Sequence, residues 1–136
     1  MATNLKICEV AEDVVEMIKK FRFRKVKNIA AIVLKIDKAS QKIILDEEYE
    51  DIQISDLVEE LPPQQPRYIC LSYVINHPDG RVSYPLIFIF LSPQGCHPEQ
   101  QMMYAGSKST IAKGFPKVLE LRSVDEFTDE AIKGLF

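Results

Sequence analysis

The sequence predicts a single α/β domain in which a central mixed β-sheet of about five or six strands is sandwiched between helices. Short β-branched and apolar runs alternate with segments whose apolar residues recur every three or four positions. The run Leu86–Phe90 is apolar on both faces, so both faces of its strand must be covered. A helical segment separates this run from a later one, Lys117–Leu121, and this order predicts that the last two strands are parallel neighbours.

The composition is that of an ordinary globular protein. With 136 residues, 46% apolar and 27% charged, the chain can form one domain, 1–136, with its own core. No apolar run approaches the ~20 residues of a membrane span and no signal peptide pattern is present, so we expect a cytoplasmic monomer without membrane contact. The net charge of -3 argues against a nucleic-acid partner. The odd number of cysteines, without metal-ligand spacing, predicts reduced thiols: Cys8, Cys70 and Cys96.

The first helix is predicted by a single apolar stripe with acidic residues early and basic residues late. The stripe consists of Ile7, Val10, Ala11, Val14, Ile18 and Phe21. The basic end is denser than the helix dipole requires, and together with Phe21 and Phe23 it would present a positive patch to an acidic protein surface; an ordinary solvated face is the alternative. The basic residues are Lys19, Lys20, Arg22, Arg24, Lys25 and Lys27.

A hairpin and an acidic stretch follow. The run Ile29–Ile36 predicts a strand, Asp37–Ser40 a turn, and Gln41–Leu45 the start of the return strand. The carboxylates after it predict an acidic connection, and because no histidine or spaced ligand pattern accompanies them we assign them no chemistry: Glu47, Glu48, Glu50 and Asp51. Residues 55–60 predict a short helix that ends before Pro62 and Pro63.

The two longest strand candidates are Arg67–Ile75 and Arg81–Ser92. The turn between them, Asn76–Gly80, favours an antiparallel pair. Pro85 has no amide hydrogen and should lie at a bulge or in an unpaired part of its strand. Near the end of the chain, Thr128 is predicted to cap a final short helix that runs through residue 136, with Phe127 packed as a staple.

The segment from His97 to Lys113 predicts a helix of about four turns that starts at Pro98 and stops at Gly114. At ~100° per residue, one face should lie against the sheet: Met103, Tyr104, Ser107 and Ile111. The opposite face, which we call the outer stripe, consists of Glu99, Met102, Gly106, Ser109 and Lys113. An unbranched apolar side chain beside a glycine and a serine lets another surface approach the helix backbone closely, which predicts a docking surface; single exposed apolar residues are the ordinary alternative.

No pattern predicts catalysis. Cys96 and His97 are the only reactive neighbours, and nothing in the sequence supplies the third group that would orient the histidine as a base. His77 lies in a turn, and two histidines make a metal site improbable. No glycine-rich loop followed by lysine is present, so no phosphate cradle is expected. We therefore expect no enzyme activity, no cofactor and no metal, but a protein-binding module.

Four segments resemble one known family and occur in its order along nearly the whole chain. They are Phe21–Lys25, Leu45–Glu48, Gly80–Leu86 and Pro98–Lys108. The chain resembles the glia maturation factors, which belong to the actin-depolymerising factor homology (ADF/cofilin) superfamily. The resemblance implies a single ADF-homology domain in the actin cytoskeleton.

The resemblance also implies a partner. Glia maturation factors bind the actin-related protein two/three complex, inhibit actin nucleation by it and disassemble branches. The implied contact comprises the outer stripe and Lys108, with the basic segment Lys19, Lys20, Arg22, Arg24 and Lys25 as a neighbouring contact. Arg81 and its turn would touch the first actin subunit of a branch.

A cofilin-like function, in which the protein binds and severs actin filaments, is the alternative. Depolymerising factors carry lysines just before the methionine of this helix, whereas this sequence has Glu99 and Gln101. Losing two positive charges and adding a negative one should weaken binding to acidic actin. Some relatives carry a phosphorylatable serine after the initiator methionine; here Ala2 precedes Thr3, and a phosphate on Thr3 would add negative charge near the binding face.

Overall fold

The computed structural model describes residues 9–23, 28–37, 39–62 and 64–135, and it contains the mixed sheet between helices that the sequence predicts. The strands are β1 (Glu9–Val10), β2 (Ala30–Asp37), β3 (Lys42–Tyr49), β4 (Arg67–Ser72), β5 (Ile75–Asn76), β6 (Val82–Ser83), β7 (Leu86–Leu91) and β8 (Lys117–Leu121). The helices are α1 (Glu12–Arg22), α2 (Ile54–Glu60), α3 (Pro98–Ser107), α4 (Ser109–Ala112) and α5 (Asp129–Lys133).

Six strands form the central sheet in the order β1-β3-β2-β4-β7-β8. The four inner strands, β3, β2, β4 and β7, are antiparallel to one another, while β1 pairs parallel with β3 and β8 pairs parallel with β7. The parallel β7–β8 pair and the covered strand β7 are therefore confirmed. Among the described residues, no helix is long and apolar enough to cross a membrane.

The sheet carries one apolar cluster on each face, because successive side chains of a strand point to opposite sides. On β7, Phe88 and Phe90 pack with α1, α3 and α4, while Ile87, Ile89 and Leu91 pack with α2 and α5. We call these the α1/α3 face and the α2/α5 face. The α1/α3 face carries the outer stripe.

Several predicted boundaries were wrong. The first helix begins at Glu12, because Glu9 and Val10 form a short strand beside β3, and Ile7 lies outside the described residues. The acidic stretch was assigned to a connection, but β3 continues through Glu47 and Glu48 to Tyr49. β3 tolerates these charged residues because it lies near an edge of the sheet, where side chains reach water.

The two long strand candidates are each divided. β4 ends at Ser72 and β7 begins at Leu86, while β5 and β6 form a separate two-stranded sheet. Pro85 lies between β6 and β7, outside both ladders as predicted, and its carbonyl accepts a hydrogen bond of 3.0 Å from the Tyr73 amide. The last helix ends at Lys133 in the structure. Thr128 caps it as predicted, through a hydrogen bond of 3.1 Å from the Ala131 amide to the threonine hydroxyl.

One end of the sheet brings together the features that the site requires. β2 and β8 begin there, opposite Ser72 of β4 and Ile87 of β7 respectively. Helix α1 precedes β2 in the chain and α4 precedes β8, so both helices end near this end of the sheet. The β5–β6 hairpin extends from the same end. The topology thus places the basic end of α1 near the end of the outer stripe.

Candidate partner-binding surface

Tyr104 fastens the inner face of α3 to the sheet. Its hydroxyl accepts a hydrogen bond of 2.9 Å from the Ile36 amide, and its carbonyl accepts one from the Tyr68 hydroxyl. The ladder between β2 and β4 stops at Leu34 and Tyr68. The Tyr104 hydroxyl therefore accepts a hydrogen bond from the Ile36 amide, which β4 does not reach. Burial raises the pKa of the Tyr104 phenol, so the side chain stays neutral.

The predicted inner face of the helix is confirmed. Tyr104, Ser107 and Ile111 are buried, and Met103 packs against the same cluster. The predicted single helix is, however, divided into α3 and α4 at Lys108. The backbone of Lys108 stays in the right-handed helical region (φ -59°, ψ -36°), so both helices continue in one sense and the outer stripe remains on one side.

The outer stripe faces solvent along its whole length. All five of its residues are exposed, and the Met102 side chain keeps 58% of its accessible surface. A Cβ atom added at Gly106 would meet nothing within 4 Å outside its own helix. The domain's own packing therefore does not require the glycine, and the space above it is open to another molecule.

Lys108 is partly engaged inside the domain. Its ammonium pairs with the Glu120 carboxylate on β8 and lies 5.6 Å from the centroid of the Phe90 ring. The side chain is therefore directed towards the edge of the sheet. Its assignment as a partner contact stays a prediction. A partner that binds the Lys108 ammonium must compete with Glu120 for it.

The basic end of α1 is joined to the far end of the outer stripe. The Arg22 guanidinium donates a hydrogen bond to the carbonyl of Gly114, the residue after Lys113. Lys19 and Lys20 lie exposed on the last turn of the same helix. Arg24 and Lys25, the other predicted contacts of this segment, lie outside the described residues.

Phe23, which the sequence placed in the positive patch together with Phe21, is an exposed aromatic. Its side chain keeps 80% of its surface, while Phe21, two residues earlier, is buried. A signal existed in the sequence, because two positions advance a helix by about 200° and turn the second ring away from the first. Phe23 follows Arg22 directly, so it adds apolar surface beside the basic cluster.

Arg81 belongs to the β5–β6 hairpin. Its guanidinium Nε lies 2.6 Å from the Asp79 carboxylate, and the positive φ of Gly80 (94°) makes the turn possible. Hydrogen bonding by the Arg81 amide lowers the pKa of Asp79. His77 contacts the Ser83 hydroxyl across the hairpin at 2.8 Å. Its ring therefore has a structural partner in the hairpin.

The cysteine–histidine pair forms local structure at the start of α3. The Cys96 thiol donates a hydrogen bond of 2.8 Å to the Pro93 carbonyl, and His97 Nδ1 accepts one of 3.2 Å from the Glu99 amide. His97 is thus the N-cap residue, a position that serine, threonine, aspartate or asparagine usually occupies. Within the described parts of the chain, no three His, Cys, Asp or Glu side chains are grouped to hold a metal ion.

Comparisons with known proteins point to one family. Residues 7–134 match the model of the cofilin/tropomyosin-type actin-binding proteins. Human glia maturation factor beta is 53% identical over 135 residues, which cover 98% of this chain and 95% of the relative. The Drosophila melanogaster glia maturation factor is 44% identical and covers 94% of each chain. The solution structure of the Caenorhabditis elegans glia maturation factor superimposes with a TM-score of 0.84, at 41% identity, over 100% of both chains.

Proposed function

Since this chain belongs to the glia maturation factor family of cofilin-type actin-binding proteins, we propose that it binds the actin-related protein two/three complex, inhibits actin nucleation by it and disassembles actin branches. The open outer stripe carries this proposal. Met102 and the bare backbone at Gly106 fit a cleft on an actin-related subunit, and few such residues contribute most of the affinity of a protein contact.

The proposed mechanism is competition for a groove. Helices α3 and α4 enter a groove that an actin subunit or an activator would otherwise occupy, and the complex shifts towards its inactive arrangement. No bond is made or broken, which agrees with the structural use of Cys96 and His97. The protein would act in the cytoplasm, on the actin cytoskeleton.

The basic end of α1 supports the same contact. Arg22 holds α1 to Gly114, so Lys19 and Lys20 continue the positive charge of Lys113, at the end of the stripe, into one positive border. Such a border steers association with an acidic surface and raises the association rate more than the final affinity. We also propose Arg81 and the β5–β6 hairpin as the contact with the first actin subunit of the branch.

Charge at the start of α3 separates this function from filament severing. Glu99 and Gln101 occupy positions at which, by the family resemblance, depolymerising factors carry lysines. We expect the pure protein to shorten the lifetime of branches watched by fluorescence microscopy while pelleting weakly with unbranched filaments. Pelleting as strong as that of a depolymerising factor would favour the severing alternative.

A charge exchange sharpens this test. Glu99→Lys combined with Gln101→Lys should increase pelleting with unbranched filaments, because both side chains would oppose acidic actin. Glu59→Lys, on the exposed side of α2 across the sheet, is the matched control and should leave pelleting unchanged. Equal pelleting by both variants would show that the start of α3 does not face actin.

A further inference from the structure

A cavity lies between α1 and the end of β3. It has a volume of about 580 Å³, within the range of sites that bind small molecules and peptide side chains. We call it the β3 groove. Met17 and Phe21 of α1 supply its apolar lining beside Glu48 of β3, and the side-chain amide of Asn28 donates a hydrogen bond of 2.8 Å to the Glu50 carbonyl at the same end.

The rim of the β3 groove is acidic. Among the described residues that line it, Glu48, Glu50 and Asp51 are exposed carboxylates and Lys20 is the one cation. The formal charges of these four described side chains sum to about -2, which favours a basic partner.

The sheet edge beside the groove is open in the described part of the chain. β1 pairs with Lys42 and Ile43 of β3, and no strand formed by the described residues lies beside the outer edge of β3 from Ile44 to Tyr49. An open edge presents unpaired backbone groups to another extended chain. A second copy of this protein is a poor occupant, because it would bring the same carboxylates against Glu47 and Glu48.

We propose that the β3 groove binds an extended, basic segment of a partner protein. The segment adds to the free edge of β3, sets an apolar side chain against Met17 and Phe21, and places arginine or lysine side chains on the carboxylates of Glu48 and Asp51. Arginine suits these positions because its planar guanidinium can bind a carboxylate through two hydrogen bonds. This inference does not depend on the proposed function: Lys20 also belongs to the basic end of α1, but the outer stripe, which carries that function, takes no part in it.

The test uses the full chain and two synthetic hexapeptides. One peptide alternates arginine with valine and phenylalanine, and the other has glutamate in place of each arginine. We expect the basic peptide to bind saturably at physiological salt and to slow amide hydrogen exchange along Ile44–Tyr49. The acidic peptide should not bind.

Charge variants locate the contact. Glu48→Lys combined with Asp51→Lys should weaken binding of the basic peptide at least about tenfold, and the neutral pair Glu48→Gln with Asp51→Asn should weaken it less. Both positions are exposed, so both variants should fold, and Glu59→Lys is the control with unchanged affinity. Unchanged affinity in the charge-reversed variant, equal binding of the acidic peptide, or protection confined to the outer stripe would overturn the proposal. So would a dimer of this chain that already occupies the edge.

Discussion

The inner face and the outer stripe of α3 and α4 share one backbone but differ in burial and in hydrogen bonding. The inner face is buried and holds the helix by hydrogen bonds through Tyr104. The outer stripe is exposed and includes Gly106, above which a side chain would find open space. A residue that burial and hydrogen bonding explain is needed for folding, whereas an exposed methionine beside an unneeded glycine lacks such an explanation. This difference makes the outer stripe the better candidate for function.

Chemical labelling should give the largest contrast between the two faces. Cys70 is fully buried under the α1/α3 face, and burial raises the pKa of its thiol to about 12. In a Met102→Cys variant the introduced thiol should react with iodoacetamide at least about a thousandfold faster than Cys70, which must wait for the domain to open. Mass spectrometry of the two peptides measures both rates.

The same raised pKa fixes a direction for the pH dependence. Because the folded-state pKa of Cys70 lies above the ordinary thiol value of 9.0, its neutral thiol favours the folded state, and this contribution is fully present below about pH 9. That contribution is lost as the pH rises towards 12. In denaturant, Cys70 and the introduced thiol should react at similar rates. Similar rates in the native protein would contradict the packing of α3.

Removing one hydroxyl from the inner face should have the next largest effect. Tyr104→Phe leaves the Ile36 amide without its acceptor in a buried site, which should lower the free energy of unfolding by about 1–2 kcal/mol. Urea denaturation measures the loss. Tyr84→Phe, at an exposed position, is the control and should change stability by less than about 0.5 kcal/mol. Equal effects of the two substitutions would remove Tyr104 from its anchoring role.

The division between these two faces could be predicted from the sequence, because helical periodicity sorts residues by direction. Periodicity cannot report contacts between distant parts of the chain. The bond from Arg22 to Gly114 joins residues 92 positions apart, and β1 exists only because two residues happen to lie beside β3. Isolated two-residue strands have no pattern of their own, so the start of α1 was misplaced.

The β3 groove illustrates the same limit. Its carboxylates were visible in the sequence but were interpreted as a solvated connection, since alternation is hard to detect where β3 becomes irregular. The register between β2 and β3 shifts after Leu45, so Asp46 is an extra residue in the strand. Asp46 lies 2.9 Å from the buried Arg67 guanidinium, and the shift returns Glu48 to the groove side of the sheet. Only the folded chain brings Glu48 and Met17 together.

Gly106→Ala should stabilise the domain and at the same time weaken partner binding, so it tests the outer stripe without destabilising the fold. An alanine within an exposed helix should raise the free energy of unfolding by about 0.5–1 kcal/mol, because the added Cβ meets nothing and the unfolded chain loses freedom. The same methyl should weaken binding to the two/three complex by roughly tenfold if a partner touches the backbone there. Thermal unfolding and a binding titration measure the two effects.

The control for this glycine is Gly95→Ala, which adds a methyl group in the loop before α3, where the nearest atom is 3.7 Å away. It should leave binding unchanged. Stabilisation without loss of binding at Gly106 would mean that the partner does not approach the helix backbone, and the outer stripe would then be ordinary surface.

The smallest effect on stability, within about 0.5 kcal/mol, is expected for Met102→Ala and Lys113→Ala, since both side chains project into solvent. Branch disassembly should nevertheless fall several-fold in each variant, the first through lost apolar contact and the second through lost charge. Lys133→Ala, on the exposed side of α5, is the matched control for the lysine and should leave branch lifetimes unchanged.

The double variant gives the stronger argument. The two residues are eleven positions apart, or about 16 Å along a helix, so they do not touch each other and their effects should be additive in free energy if one partner covers both. Added salt should reduce the effect of Lys113→Ala on branch disassembly, because salt screens charge. The effect of Met102→Ala should not change with salt, because that side chain carries no charge. If either substitution instead lowers the melting temperature as much as Tyr104→Phe does, that side chain belongs to the core and the contrast between the two faces fails at that residue.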